Sequence, residues 1–147
     1  MRKDFPDHHD ADLVLRLYDL RREPTMRQAR RAILTQFWPG SFDDLAAVVR
    51  LEHPLNESYR QVASYWEMAF GMARHGIIQP DYLAEHSGEG LWLLAKVQPF
   101  LPQLRETRPR SFQNAEWLVT HSDTARVMLE DIRARIAGLQ ADRKAAS

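Results

Sequence analysis

The sequence of 147 residues contains no cysteine. This absence excludes disulfide bonds, thiolate metal sites and cysteine nucleophiles, and it removes the usual mark of a small secreted scaffold. An excess of one charge is also missing, because 20 Lys and Arg residues balance 20 Asp and Glu residues. Proteins dedicated to nucleic acids usually carry a basic excess, so the overall composition is not typical of that class.

Long apolar runs are missing as well. The longest are Leu45 to Val49 and Leu91 to Ala95, whereas a membrane-spanning helix needs about 20 mostly apolar residues. The N-terminal residues include no apolar stretch of the kind found in signal peptides. These absences predict a cytoplasmic protein without a membrane span.

What remains is the composition of an ordinary globular domain. Hydrophobic residues make up 44% and charged residues 27% of the chain, close to the globular average. Apolar residues recur at spacings of three and four almost everywhere, which is the period of a helix and not of a strand. The sequence therefore predicts one all-α domain over residues 1–147, a bundle of six to eight helices, with 1–9 and 141–147 frayed.

The longest predicted helix is central and spans about Leu55 to His75. Its aromatic and small residues form a single apolar stripe. Gly76 suits the left-handed residue that follows a helix end, and Ile77-Ile78 could supply the hydrophobic contact of such a cap. Three shorter helices are predicted before it, with their starts marked by Asp10, Pro24 and Ser41.

A bent helix is predicted in the second half of the chain. It begins near Glu89, and Pro99 and Pro102 each remove one helical hydrogen bond. We therefore expect a kink at 96–99, after which the helix resumes to about 107. Three further helices are predicted around it, beginning at Pro80, Ser111 and Ser122 or Asp123.

Several motifs in the middle of the chain follow a familiar order. They are Val62-Ala63-Ser64-Tyr65-Trp66-Glu67, Gly71, Arg74-His75-Gly76-Ile77-Ile78, Asp81-Tyr82-Leu83, the Gly88 turn, Trp92, Pro99-Phe100 and Arg105. Over about residues 10–120 this order resembles a family of bacterial helical proteins catalogued only as a domain of unknown function. The resemblance implies a helical fold and no settled activity. It also implies an N-terminal membrane helix in many relatives, from which this sequence departs.

Glu67 is the most informative charged residue. It lies between two aromatic residues of the central helix, and acidic side chains are rarely buried unless they are paired. We predict an ion pair with Arg105, which belongs to the same resemblance, and such a pair would fix how the helices pack. The alternative is an exposed Glu67 that contacts Arg60, Arg74 or water.

Arginines crowd the first two predicted helices. Arg27, Arg30 and Arg31 share one helical face, and arginine suits phosphate recognition. They could form a patch for nucleic acid or another anion. The favoured alternative is a solvated surface of a neutral protein.

Metal and catalytic chemistry have weaker support. His8 and Asp12 are spaced like two helical ligands, but no HExxH or similar zinc pattern exists. The run Glu85-His86-Ser87 lacks the G-x-S-x-G turn of serine hydrolases. We therefore assign no catalytic residue, no metal ligand and no cofactor, and an enzyme ranks third among the function classes.

Two sets of apolar residues are candidates for contact with a partner. Trp38 and Phe42 flank a Pro-Gly turn, and turns run over protein surfaces. Met128, Ile132 and Ile136 recur on one face of the final helix. Either set could support a homodimer, although both could equally be ordinary packing inside the bundle.

The leading prediction of function is a non-enzymatic helical module that acts through protein contacts, with itself or another protein. The second is a binder of nucleic acid or another anion through the arginine face. The sequence names no partner or ligand for either class.

Overall fold

Helices form all the regular structure of residues 3–147, the part of the chain that this computed structural model describes. The bend between α6 and α7 is a 3₁₀ turn at Gln98–Phe100. When α6, this turn and α7 are counted as one bent helix, residues 3–147 contain eight helices, so the all-α prediction is confirmed. The elements are α1 His8–Arg21, α2 Pro24–Gln36, α3 Phe42–Val48, α4 Asn56–Arg74, α5 Pro80–Glu85, α6 Gly88–Val97, α7 Leu101–Leu104, α8 Gln113–His121 and α9 Asp123–Ala146.

The central helix α4 organises the bundle. It packs against α2 and α8, while α9 crosses α5, α6 and α8. Helix α6 comes unusually close to α4 at Gly90, where an added Cβ would lie 2.6 Å from Phe70 Cζ and 2.7 Å from Trp66 Cδ2. A side chain at this position would therefore overlap two core rings, and glycine permits the contact.

Helix α4 ends as its sequence predicts. Gly76 has a φ of 75°, and the Ile77 backbone N–H donates to Met72 O at 2.8 Å. This is the hydrogen-bond pattern of a Schellman cap. Ile78 is fully buried beyond it, so the cap also turns the chain toward α5.

The first helix begins earlier than predicted. Asp7 is the N-cap, and Asp10 completes a capping box from inside the first turn. Asp10 is fully buried and also accepts from the Gln79 backbone N–H at 3.1 Å. The expected fraying of residues 1–9 is therefore wrong for His8 and His9, while Met1 and Arg2 lie outside the described residues.

The C-terminal end also differs from the prediction. Helix α9 continues to Ala146, so the expected fraying is wrong for residues 141–146, and Ser147 lies beyond the helix. Arg143 explains part of this extension, because its guanidinium lies over the Trp38 ring at 4.7 Å from the centroid. Across residues 3–147, none of the helices combines the length and the apolar character that a membrane crossing requires.

The predicted ion pair of Glu67 and Arg105 does not form. Arg105 instead binds Glu116 at 3.1 Å and donates to Ser111 O. The Glu67 carboxylate accepts from the backbone N–H groups of Asn114 and Ala115 at 3.0 and 2.8 Å. Glu67 thus caps α8 from a neighbouring helix, which replaces the predicted cap at Ser111.

The environment of Glu67 contains two opposing influences. Burial raises the pKa of its carboxyl, and this outweighs the two backbone hydrogen bonds and the charges of Arg105 and Arg74, which lower it.

The residue before α8, Phe112, has a left-handed φ of 57°, which is unusual for a side chain of this size. The Glu67 cap therefore stabilises a helix start whose left-handed backbone the local sequence does not favour.

We expect Glu67→Ala to lower the free energy of unfolding by about 1–3 kcal/mol, because it leaves two N–H groups of α8 without an acceptor. Urea denaturation measures the change. Gln61→Ala, at an exposed position of the same helix, is the matched control and should change stability by less than about 0.5 kcal/mol. Equal effects of the two substitutions would refute the cap.

Candidate functional site

The predicted arginine patch is only partly available to a ligand. Arg30 binds Glu89 at 2.7 Å and donates to Arg21 O. Arg27 and Arg31 remain exposed on α2. Arg30 is therefore not available to the possible anion patch, because its guanidinium is committed to an internal ion pair.

Glu89 is the centre of a polar cluster that the sequence did not reveal. Besides Arg30, its carboxylate accepts from Trp66 Nε1 at 3.1 Å and lies 3.7 Å from Arg21 Nη2. Glu89 occupies the first turn of α6, where a negative charge is favourable. The neighbouring run Glu85-His86-Ser87 lies where α5 ends and α6 begins. Within it, Ser87 Oγ donates to Leu83 O at 2.6 Å.

The predicted contact patches lie largely inside the bundle. Ile132 and Ile136 are 5% and 6% exposed and belong to the core. The prediction that they form a contact patch on the surface of α9 is therefore wrong. Trp38, Phe42 and Met128 are partly buried and pack against that core. Among residues 3–147, His, Asp and Glu side chains form no group of three that could hold a metal ion.

The structure instead places Trp38 and Ile136 in a groove, which we call the Lys96 groove. It lies between the Trp38-Pro39-Gly40 turn, the bend after α6 and the end of α9, and its volume is about 530 Å³. The lining residues are Trp38, Pro39, Gly40, Ala95, Lys96, Pro99, Phe100, Arg133, Ile136, Ala137, Gln140, Arg143, Lys144 and Ser147.

Lys96 forms the floor of this groove and is 3% exposed. Its ammonium donates to Phe37 O at 2.7 Å and Ile33 O at 3.3 Å, the carbonyls at the end of α2. It also lies 4.1 Å from the centroid of the Trp38 ring. A cation at this position stabilises the C-terminal end of α2.

The charge of Lys96 is not balanced by an acid. Within the described chain, no carboxylate lies at ion-pair distance from its ammonium. Burial and, to a smaller extent, the charge of Arg143 lower the pKa of Lys96 to about 8. The groove is therefore a positively charged site with apolar walls.

A second cavity, the α1 cavity, lies between α1, α4 and α5. Its volume is about 280 Å³, and Arg21 stacks over Trp66 in its wall at 5.2 Å. The Tyr65 hydroxyl donates to Leu17 O, and burial raises the pKa of Tyr65 to about 12. The lining residues are Val14, Leu15, Leu17, Tyr18, Arg21, Tyr65, Trp66, Tyr82, Leu83 and His86.

Signals for both sites exist in the sequence but are weak. Lys96 is a lone cation within an apolar segment that runs from Leu91 to Val97. Helix α1 carries more apolar residues than one face can hold, because Leu15 and Tyr18 accompany the inward-facing stripe. Neither pattern by itself indicates which other helices complete the site.

The fold and these sites define an all-helical single domain whose surface includes the Lys96 groove and the α1 cavity. A family model matches residues 6–122, and the chain belongs to that family, described as Domain of unknown function (DUF4760). No curated protein and no solved structure matches the chain. Helix α9, which completes the Lys96 groove, lies beyond the matched residues.

The low pKa of Lys96 predicts how the free energy of unfolding depends on pH. In the folded protein Lys96 loses its proton near pH 8, whereas the ordinary value is 10.5, so the unfolded state binds more protons between these values. The wild type should therefore gain stability relative to Lys96→Met as the pH rises from 8 to 10.5.

Urea denaturation of both proteins across pH 6–10.5 tests this expectation. The difference in unfolding free energy should be constant below pH 7, which serves as the internal control. A difference that stays flat or falls above pH 8 would contradict a buried, unpaired ammonium.

Proposed function

We propose that this protein is a non-enzymatic helical module that acts through protein contacts, with the α1 cavity and its rim as the contact surface. A second copy of the chain is the partner to which we commit. The observation that carries this proposal is that one surface presents both an apolar cavity and protruding apolar side chains.

The protruding side chains are Leu15 and Tyr18, which are 65% and 56% exposed. On the same helix Val14 and Leu17 point inward and are 8% and 6% exposed, so α1 is apolar on two faces. Burying a side chain such as Leu15 contributes about 1.5–3 kcal/mol. The outer face of α1 therefore gains free energy when another surface covers it.

The cavity offers a complementary recess. Its wall is mainly aliphatic and aromatic, with Tyr65 and Trp66 from α4 and Tyr82 from α5. Its polar groups, such as Arg21 and His86, lie among aromatic rings: Arg21 is 5.9 Å from the Tyr18 centroid, and the His86 and Tyr82 rings are 4.9 Å apart. This chemistry suits an inserted apolar side chain better than a reaction.

The position of both features on one surface favours self-association. A two-fold symmetric interface uses the same patch of both subunits, so the patch must supply the projection and the recess together. Leu15 and Tyr18 stand at the rim of the cavity that they would fill in the partner. Binding to a different protein would require only the projection or only the recess on this surface.

The nucleic-acid class keeps weaker support. Arg27 and Arg31 are exposed, but Arg30 is held by Glu89. Binding to nucleic acid without self-association would favour this second class.

The cytoplasmic location expected from the sequence stays a prediction.

Analytical ultracentrifugation over a range of protein concentrations tests the proposed contact. We expect a monomer–dimer equilibrium, with Leu15→Glu weakening the dimer by at least about tenfold, because the interface would bury an unpaired charge. Val127→Glu, at an exposed apolar position of α9, is the matched control and should leave the dimer intact.

Two results would refute this assignment. A wild-type protein that remains monomeric up to millimolar concentration would exclude a second copy as the partner. Equal weakening by the substitutions at Leu15 and Val127 would show that association does not use the α1 cavity.

A further inference from the structure

We propose that the Lys96 groove binds the phosphate group of a small molecule, held by Lys96 from the floor and by Arg143 and Lys144 from α9. This site is separate from the α1 cavity and goes beyond the proposed contact function. It requires neither a dimer nor a protein partner.

Lys96 is incompletely paired inside the protein. A buried lysine is normally paired with an acid, yet this ammonium has only the carbonyls of Ile33 and Phe37 as acceptors. An ammonium carries three N–H donors. One N–H donor therefore has no hydrogen-bond acceptor, and the positive charge meets only the Trp38 and Trp92 rings and two carbonyls, without an acid to balance it.

Further cations lie close to the Trp38 ring that Lys96 contacts. Arg143 lies over Trp38 at 4.7 Å from its centroid, while Lys96 lies at 4.1 Å. Lys144 and Arg133 also line the groove, and Arg133 donates to Gln98 Oε1. No Asp or Glu side chain is among the lining residues, so the positive charges of the groove are not balanced by an acidic side chain.

The stabilisation of the α2 C-terminus explains why a cation lies at Lys96, but it does not explain the presence of Arg143 and Lys144 in the same groove. A cation near the α2 carbonyls would be favourable without any neighbour. The C-terminal turns of α9 nevertheless bring Arg143 and Lys144 to that cation, although the chain as a whole has no net charge. An oxyanion between these groups would balance their charges and accept their hydrogen bonds.

The shape of the groove favours a phosphate on a small organic molecule. Its volume of about 530 Å³ exceeds what a phosphate fills and lies in the usual range for small-molecule sites. Phe100 and Pro99 provide apolar walls beside the cations. Donors from α6 and α9 approach from different helices, which suits a tetrahedral dianion better than a flat carboxylate.

Titration with inorganic phosphate at constant ionic strength tests the site. The readout is the NMR signal of the Trp38 indole N–H, assigned by its loss in Trp38→Phe. We expect saturable shifts with phosphate and at least about tenfold weaker shifts with succinate. Arg143→Gln and Lys96→Met should each weaken phosphate binding by about tenfold or more.

Arg110→Gln is the matched control, since it removes one exposed arginine outside the groove. It should leave phosphate binding unchanged. Arg143→Gln keeps the test valid if Lys96→Met does not fold. No saturable shift, equal binding of succinate, or equal loss in Arg110→Gln and Arg143→Gln would overturn the proposal.

Discussion

The carboxylate of Glu89 joins four helices at one point. From the first turn of α6 it binds Arg30 of α2, Trp66 of α4 and, at longer distance, Arg21 of α1. This contact is possible because Gly90, the next residue, lets α6 approach the rings of α4 closely. A single polar group and a missing side chain thus hold the first turn of α6 against α2 and α4.

Helix α6 touches residues of both the α1 cavity and the Lys96 groove. Near its start, the partners Arg21 and Trp66 of Glu89 form part of the wall of the α1 cavity. Near its end, Lys96 reaches the last carbonyls of α2 and becomes the floor of the Lys96 groove. The same helix therefore places one carboxylate beside two arginines at one end and leaves a lysine without an acid at the other.

Local signals in the sequence specified most helix boundaries correctly. Pro24, Ser41, Gly76 and Ser122 mark helix ends through the geometry of their own backbone or side chains. Such signals work because a cap depends on residues within a few positions. The same reasoning could not locate the cap of α8, because Glu67 supplies it from a distance of 47 residues.

The sequence by itself determined the all-α class, the central helix, the bend at Pro99 and the absence of thiol chemistry, since each follows from composition or from neighbouring residues. Only the tertiary structure decided which charges are paired. Arg30 and Arg105 have acidic partners on other helices or across a turn, whereas Lys96 has none. Ion pairing and burial depend on distances between helices, and the spacing of residues along one helix carries no information about them.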